Sequence, residues 1–240
     1  MKHIIKKIIR VVLSPLVLGD YWRFRSQKGA QRFSMRLRDL YPQIRDKTMT
    51  TGFDRHYVYH TAWAARKVAA IKPEFHTDIS SSLYFSSIVS AFVPVKFYDY
   101  RPADLQLSGL SSERGDLLRL PFADDSIASL SCMHTVEHVG LGRYGDPLDS
   151  DGDLKAIKEL QRVLAPGGSL LFVVPVGKPM IQFNAHRIYS YDMVKEYFSD
   201  LALKEFSLIP EKNGSMIVNA TKEQADREMY GCGCFWFVKK

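Results

Sequence analysis

The sequence predicts an α/β protein with a doubly wound, mostly parallel sheet, preceded by a helical N-terminal extension. From residue 73 onward, short apolar runs alternate with helical stretches, as is typical of parallel strands with helices on both faces. One run, Ser169–Pro175, is apolar on both sides, which indicates a strand near the middle of the sheet. The 240 residues, 46% apolar and 25% charged, have the composition of a globular protein with a substantial core.

The charge distribution divides the chain into a basic extension, residues 1–72, and an α/β domain, residues 73–240. The extension holds 16 Lys and Arg against 4 Asp and Glu, whereas the domain holds 17 against 22. A basic segment favours anionic partners such as lipid, nucleic acid or phosphorylated ligands. The three cysteines are too few for a disulfide framework, so we expect a reducing, cytoplasmic environment.

Residues 1–18 have the pattern of a basic amphipathic helix, with isoleucines on one face and lysines on the other. This helix either packs on the body of the protein or lies on a membrane surface. Charged residues interrupt the apolar run, so we expect neither a spanning segment nor a cleaved leader. Over Asp20–Tyr41, aromatics mix with arginines, which fits either base stacking or aromatics turned inward. A second helix is predicted over residues 56–71, ending before Pro73.

The α/β domain contains six predicted strands. They are Phe75–Ile79, Val95–Asp99, Ser126–Met133, Ser169–Pro175, Leu203–Ile209 and Cys234–Val238. Ahead of the central strand, leucines and an isoleucine recur on one face of a predicted helix. Asp153 is its expected N-cap, and Pro166-Gly167-Gly168 is its expected end.

Polar residues follow several of these strands. In doubly wound sheets, ligands bind outside the carboxyl ends of the strands, so these residues are the candidates for a binding site. They are Asp78 with Ser80, Ser81 and Ser82, then Asp99, then Asp116 before a Leu-Pro-Phe turn, and His134 with Glu137 and His138. Asp99 lies 21 residues after Asp78, where an acid can hold a ribose hydroxyl.

Three sequence blocks resemble those of class I S-adenosylmethionine-dependent methyltransferases over residues 73–240. The blocks are Gly115-Asp116-Leu117 with Leu120-Pro121-Phe122-Ala123-Asp124-Asp125-Ser126, then Thr135-Val136-Glu137-His138-Val139, then Glu159-Leu160-Gln161-Arg162-Val163-Leu164-Ala165-Pro166-Gly167-Gly168. More narrowly, Phe97-Tyr98-Asp99-Tyr100-Arg101-Pro102, residues 140–147 and residues 231–237 resemble the domain of unknown function 268 family. The resemblance implies a Rossmann-like methyltransferase fold and S-adenosylmethionine as cofactor.

The same resemblance implies roles for individual residues. Asp78 and Ser80 to Ser82 fall at the methionine end of the cofactor, and Asp99 falls at its ribose hydroxyls. Asp116 and Leu117 fall at the adenine, and His134 faces the cofactor from its strand end. The serines depart from the family pattern, which has glycines there because glycine adopts positive φ at little cost.

Three residues are candidates for a base that removes the acceptor's proton: Glu137, His138 and His186. Glu137 and His138 could instead anchor the following loop. Arg187 fits either a grip on an anionic acceptor or an ordinary surface position.

No metal site is predicted. His134-Thr135-Val136-Glu137-His138 matches an H-x-x-E-H zinc pattern, but that pattern needs a helix, and these residues follow a strand.

The function predicted is methyl transfer from S-adenosylmethionine to a small-molecule or glycan-type acceptor. The alternative is a non-catalytic adapter that keeps the fold and binds partners or membrane through its basic extension. Nucleic acid is not the expected partner, because the positive charge lies outside the acidic α/β domain. The sequence does not specify the oligomeric state.

The amphipathic pattern generates a testable prediction. We expect residues 1–18 to make few contacts with the α/β domain and the intact chain to sediment with anionic vesicles. Each basic residue near an anionic surface contributes about 1 kcal/mol of attraction. A chain that starts near Asp20 should remain in the supernatant. Equal sedimentation of the two chains would contradict membrane binding by this helix.

Overall fold

The computed structural model describes residues 15–27, 29, 32–44 and 46–240. It divides into two compact units, Met1–Phe53 and Asp54–Lys240. Most of the predicted amphipathic helix, residues 1–14, lies outside the described residues. Among the residues described, no helix is long and apolar enough to cross a membrane.

The first unit contains helix α1, Pro15–Arg25, and a short 3-10 helix, Leu37–Asp39. Tyr21 is buried, and its hydroxyl donates a hydrogen bond of 2.9 Å to a backbone carbonyl. Trp22 and Phe24 are exposed. Of these three aromatics, only Tyr21 turns inward.

The second unit contains a seven-stranded sheet and confirms the predicted doubly wound fold. The strands of the whole unit are β1 (His76–Ile79), β2 (Val95–Asp99), β3 (Leu110–Arg114), β4 (Ile127–Met133), β5 (Leu164–Val176), β6 (Met180–Gln182), β7 (His186–Ile188), β8 (Leu201–Ile209) and β9 (Gly231–Lys239). The sheet has the order β3-β2-β1-β4-β5-β9-β8, and β6 pairs with β7 separately. The first five strands are parallel, and β9 is antiparallel to both of its neighbours.

The helices of the second unit flank this sheet. They are α2 (Arg55–Ile71), α3 (Leu83–Val89), α4 (Gly152–Val163), α5 (Tyr191–Tyr197) and α6 (Lys222–Asp226). The helix predicted over residues 56–71 is confirmed as α2, with Asp54 as its N-cap accepting from the Tyr57 N–H at 3.1 Å. Trp63 and Val68 of α2 are buried in a core cluster with residues of the sheet. The compact unit therefore begins at Asp54, whereas the predicted boundary followed residue 72, because the apolar face of α2 packs with the sheet.

The central strand β5 contributes to two apolar clusters. Leu170, Phe172 and Val174 belong to one cluster, whereas Leu171 and Val173 belong to the other. Side chains of a strand alternate between its two faces, so β5 is buried on both, as predicted.

Helix α4 begins differently from the prediction. Asp151 is its N-cap, and Asp153 is buried in the first turn. The Asp153 carboxylate accepts from the Tyr189 hydroxyl at 3.0 Å and lies 3.5 Å from Nε of Arg187. Asp153 is therefore held by Tyr189 and Arg187 and does not cap the helix.

Helix α2 is joined to strand β8 by the carboxylate of Glu205. This carboxylate accepts from Nε1 of Trp63 at 2.8 Å, from Lys67 and from the Ser207 hydroxyl at 2.9 Å. The ion pair with Lys67 is largely removed from water, since both side chains are less than one-fifth exposed. A buried donor that loses its acceptor lowers the stability of the folded protein, because water cannot reach it to replace the hydrogen bond.

We expect Glu205→Ala to lower the free energy of unfolding by about 1–3 kcal/mol, because it leaves three donors without their acceptor. Urea denaturation measures this change. Lys204→Ala, an exposed position on the same strand, is the matched control and should alter stability by less than about 0.5 kcal/mol. Equal stability of the two variants would show that Glu205 does not hold α2.

Candidate functional site

A cleft of about 420 Å³ opens at the carboxyl ends of β1, β2 and β4. These ends are level, because Ile79 of β1 pairs with Tyr98 of β2 and with Cys132 of β4. The chain leaves β1 toward β2 on one side, while β4 lies on the other side. The cleft therefore lies at the switch in strand order, where doubly wound sheets bind ligands.

The turn after β1 forms one wall of the cleft with Ser80, Ser81 and Ser82. Ser80 has a φ of 54°, the left-handed conformation that glycine favours. Its N–H donates to the Tyr98 carbonyl at 2.8 Å, and its carbonyl accepts from the Thr135 hydroxyl at 3.0 Å. The Ser81 hydroxyl accepts from the Met133 N–H at 3.0 Å. These hydrogen bonds hold serine in a backbone conformation expected of glycine.

Asp78 is fully buried and does not line the cleft, unlike the expectation for the methionine end of a cofactor. Its carboxylate accepts from the hydroxyls of Ser86 and, at 2.5 Å, Ser131. The same Ser131 and Ser129 are bonded to the buried His76 ring at 2.9 and 2.7 Å. Burial raises the pKa of Asp78 to about 6, against the opposing effect of its serine donors. Burial also lowers the pKa of His76 to about 3.

Asp99, Asp116 and Leu117 line the cleft beyond the serine turn. Asp99 is half-buried at the end of β2, and its Oδ1 accepts from the Arg101 N–H at 2.7 Å. Asp116 is exposed and accepts from the Leu118 N–H at 2.9 Å, whereas Leu117 is buried. The cleft thus offers two carboxylates and one apolar side chain along this part of its lining.

Gly115 brings this loop close to β2. A Cβ atom at position 115 would lie 2.9 Å from the Cβ of Tyr98, closer than side-chain atoms approach one another. Glycine is therefore required here by the close approach of the two segments.

His134 lies at the end of β4 in the left-handed conformation and lines the cleft. Its Nδ1 lies 2.8 Å from Oε1 of Glu137, and its Nε2 lies 3.4 Å from Sγ of Cys232. Burial opposes the charged ring, but Cys232 and Glu137 outweigh this effect and raise the pKa of His134 above its usual range. Glu137 is buried and is not among the residues lining the cleft. Glu137 therefore acts on the cleft through His134 and through His138, whose Nε2 lies 3.8 Å from Oε1 of Glu137.

His138 also lines the cleft, from the short 3-10 helix Val136–His138. Its Nδ1 lies 2.6 Å from the Ala185 carbonyl, which can only accept, so Nδ1 carries a proton. In the neutral ring Nε2 then has a free lone pair. Burial lowers the pKa of His138 and favours this neutral form.

The loop after His138 closes one side of the cleft. Asp146 accepts from the N–H groups of Gly140 at 2.8 Å, Gly142 at 3.3 Å and Tyr144 at 3.2 Å. Burial raises the pKa of Asp146, but these backbone donors outweigh it and hold the pKa below its usual range. One carboxylate therefore fixes the conformation of the loop.

Two other candidates lie away from the cleft lining. His186 is half-buried, with its ring 4.9 Å from that of Tyr230 and 6.4 Å from that of His138. Arg187 is only 5% exposed, and it donates to the Val139 carbonyl at 2.7 Å in addition to its ion pair with Asp153. Neither expectation for Arg187 is correct, because its guanidinium is buried and occupied within the protein.

A cluster of aromatic and histidine rings beside His134 was not predicted. Its other members from α2 are His56, His60 and Tyr57, of which Tyr57 lines the cleft. His56 and His60 are four residues apart on one helix, a spacing that places both on one face. That spacing was the only indication available from the sequence, since the contact with β4 is tertiary.

The strand order and the position of the cleft define a Rossmann-like methyltransferase fold, and known proteins confirm it. The N-methyltransferase NodS from Bradyrhizobium japonicum WM9, solved with S-adenosyl-l-homocysteine, is 12% identical with a TM-score of 0.51, covering 92% of this chain and 97% of that chain. The Burkholderia thailandensis 1,6-didemethyltoxoflavin-N1-methyltransferase, solved with 1,6-didemethyltoxoflavin and S-adenosylhomocysteine, is 8% identical with a TM-score of 0.52, covering 76% and 79%.

A third similar structure comes from the Haloferax volcanii complex between the Trm112 methyltransferase activator and its candidate methyltransferase. The matched chain of that complex is 20% identical to this protein with a TM-score of 0.52, covering 77% of this chain and 89% of that chain. At these identities the likeness establishes the fold alone.

Residues 122–209 match the family described as Caenorhabditis protein of unknown function, DUF268. The chain therefore combines a methyltransferase-like fold with a resemblance to that family. No curated protein matches the sequence.

The buried carboxylate of Asp78 makes stability depend on pH. Its folded pKa of about 6 lies above the ordinary value of 3.8, so the folded protein binds the extra proton between these pH values. Stability from this group is therefore full below about pH 4 and declines as pH rises to about 6, by on the order of 2–3 kcal/mol. The lowered pKa of His76 makes stability rise with pH over the same range. The effect of Asp78 is therefore isolated by comparing variants with the wild type.

We expect Asp78→Asn to gain stability relative to the wild type as pH rises from 4 to 6, measured by urea denaturation at each pH. Asp104→Asn, an exposed carboxylate outside the cleft, should follow the wild-type curve. Parallel curves for Asp78→Asn and the wild type would contradict the raised pKa.

Proposed function

We propose that this protein is an S-adenosylmethionine-dependent methyltransferase acting on a small-molecule or glycan-type acceptor. The observation that carries the proposal is that the serine turn, Asp99 and Asp116 with Leu117 line one continuous cleft. These groups follow the carboxyl ends of three neighbouring strands, β1, β2 and β3. Their order matches the methionine, ribose and adenine parts of the cofactor.

The residues present fit this cofactor. Asp99 and Leu117 both line the cleft, where Asp99 would accept hydrogen bonds from the ribose hydroxyls and Leu117 would contact the adenine. The serine turn supports binding as well, because Ser80 already has the left-handed backbone of a glycine. The serine turn therefore has the backbone conformation that glycine favours, beside a cleft of about 420 Å³.

The acceptor is proposed to bind beyond the serine turn, between His138 and the loop that Asp146 holds. Two guanidinium groups pack on the Tyr144 ring of this loop, with Arg101 at 4.8 Å and Arg143 at 5.1 Å from its ring centre. Cations packed on an aromatic face restrain it. Since this loop narrows the cleft, a small or glycan-type acceptor is favoured over a large surface.

When bound, S-adenosylmethionine supplies an electrophilic methyl group. His138 is the proposed base, since its Nε2 lone pair can take the proton that the acceptor loses as its new bond to the methyl carbon forms. The hydrogen bond from Nδ1 to the Ala185 carbonyl keeps the ring in that tautomer. His134 and the backbone of the serine turn would hold the cofactor in place beside this base.

Calorimetry with S-adenosylhomocysteine tests the proposal. Asp99→Ala should weaken binding by about 1–3 kcal/mol, roughly 5- to 150-fold, because charge-assisted hydrogen bonds to the ribose are lost. Asp104→Ala, an exposed carboxylate outside the cleft, should bind as the wild type does.

Two outcomes would overturn the proposal in different ways. Unchanged affinity in a folded Asp99→Ala protein would remove the ribose assignment. A wild-type chain that binds neither S-adenosylmethionine nor its demethylated product would favour a non-catalytic adapter with the same fold.

A further inference from the structure

Three side chains that can bind a metal meet beside the cleft, and of these only His134 also lines it. It comprises His56 at the start of α2, His134 at the end of β4 and Cys232 at the start of β9. One ligand atom from each residue lies within 4.8 Å of the other two. Three elements distant in sequence thus bring two imidazoles and a thiol together.

The spacing of these atoms suits a tetrahedral metal ion. Nε2 of His134 lies 3.4 Å from Sγ of Cys232. With metal–nitrogen bonds near 2.0 Å and metal–sulfur bonds near 2.3 Å, a nitrogen and a sulfur ligand of a tetrahedral ion are about 3.5 Å apart. A single ion can therefore bind both atoms with little movement of either.

Glu137 provides the support that metal-bound histidines commonly have. Its Oε1 is 2.8 Å from Nδ1 of His134, which fixes the ring and leaves Nε2 toward Cys232. A carboxylate on the far nitrogen orients a ligating histidine and makes it more basic. The other oxygen of Glu137 is buried without a hydrogen-bond partner among the described residues.

Aromatic and histidine rings pack around His56. The His56 ring lies between the rings of His134 and Tyr230, at 5.7 and 5.2 Å. His60 donates from Nδ1 to the His56 carbonyl at 2.6 Å, and its ring lies 5.0 Å from that of His134. Nε2 of His60 is buried and has no hydrogen-bond partner in the part of the chain that the structure describes. His60 therefore packs beside the three clustered ligand residues and is not one of them.

We propose that His56, His134 and Cys232 bind a divalent transition-metal ion of the zinc type. Two nitrogens and one sulfur suit zinc, whereas magnesium and calcium prefer oxygen ligands. Three protein ligands leave a fourth position for water or another small ligand. This site is not the H-x-x-E-H pattern of residues 134–138, because His138 directs Nδ1 to the Ala185 carbonyl and a different histidine, His56, takes part.

Zinc content tests the proposal directly, independently of any methyltransferase activity. The tag-free full-length chain, dialysed against micromolar zinc and then against buffer, should retain about one zinc ion per chain by elemental analysis. His56→Ala and Cys232→Ser should each lower the affinity at least tenfold. Glu137→Gln should lower it by roughly 10- to 100-fold, as loss of a supporting carboxylate does.

Cobalt(II) gives a second measurement that identifies the sulfur ligand. The cobalt-loaded wild type should show a thiolate-to-metal charge-transfer band in the near ultraviolet, and Cys232→Ser should lose it. Cys132→Ser, which changes a buried thiol outside the cluster, is the matched control and should keep the band.

The proposal fails if the wild type retains no zinc, or if folded His56→Ala binds zinc as tightly as the wild type. Because His56 is only half-buried, that variant decides the question even if Cys232→Ser does not fold. Loss of zinc binding with intact S-adenosylhomocysteine binding separates this site from the cofactor cleft.

Discussion

The structure depends on the burial of polar residues along β1, a strand of only four residues between β2 and β4. His76 and Asp78 point their side chains into the protein and are joined through hydroxyl groups of β4 and α3. Because buried polar groups need partners, this network fixes β1 against β4 in one register. The level ends of β1, β2 and β4, and hence the cleft, follow from that register.

His134 belongs to both of the sites that we propose. It lines the cleft that we propose for the cofactor, and its Nε2 faces Cys232 in the proposed metal site. Its left-handed backbone directs the chain from β4 into the short helix that carries Glu137 and His138. A change at this residue would therefore affect both sites.

Much of the fold follows from the sequence pattern, and the exceptions have physical reasons. The strands with strong apolar runs were predicted, whereas β3, Leu-Ser-Ser-Glu-Arg, was not, because a polar edge strand has no apolar periodicity. The positions of Ser80, Asp99 and Asp116 at strand ends could be predicted from strand boundaries. The burial of Arg187 and the contact of His56 with His134 could not, because both depend on packing between elements far apart in sequence.

The placement of β9 has a consequence for the synthesis of the protein. β9 lies between β5 and β8, so β8 has no neighbour in the sheet until residues 231–239 are available. During translation, strands β1 to β5 can pair with one another as they emerge. The free edge of β5 and the whole of β8 remain unpaired until β9 is available. Exposed strand edges are prone to pair with other chains. The nascent chain therefore exposes the edge of β5 and the whole of β8 to pairing with other chains until β9 has left the ribosome.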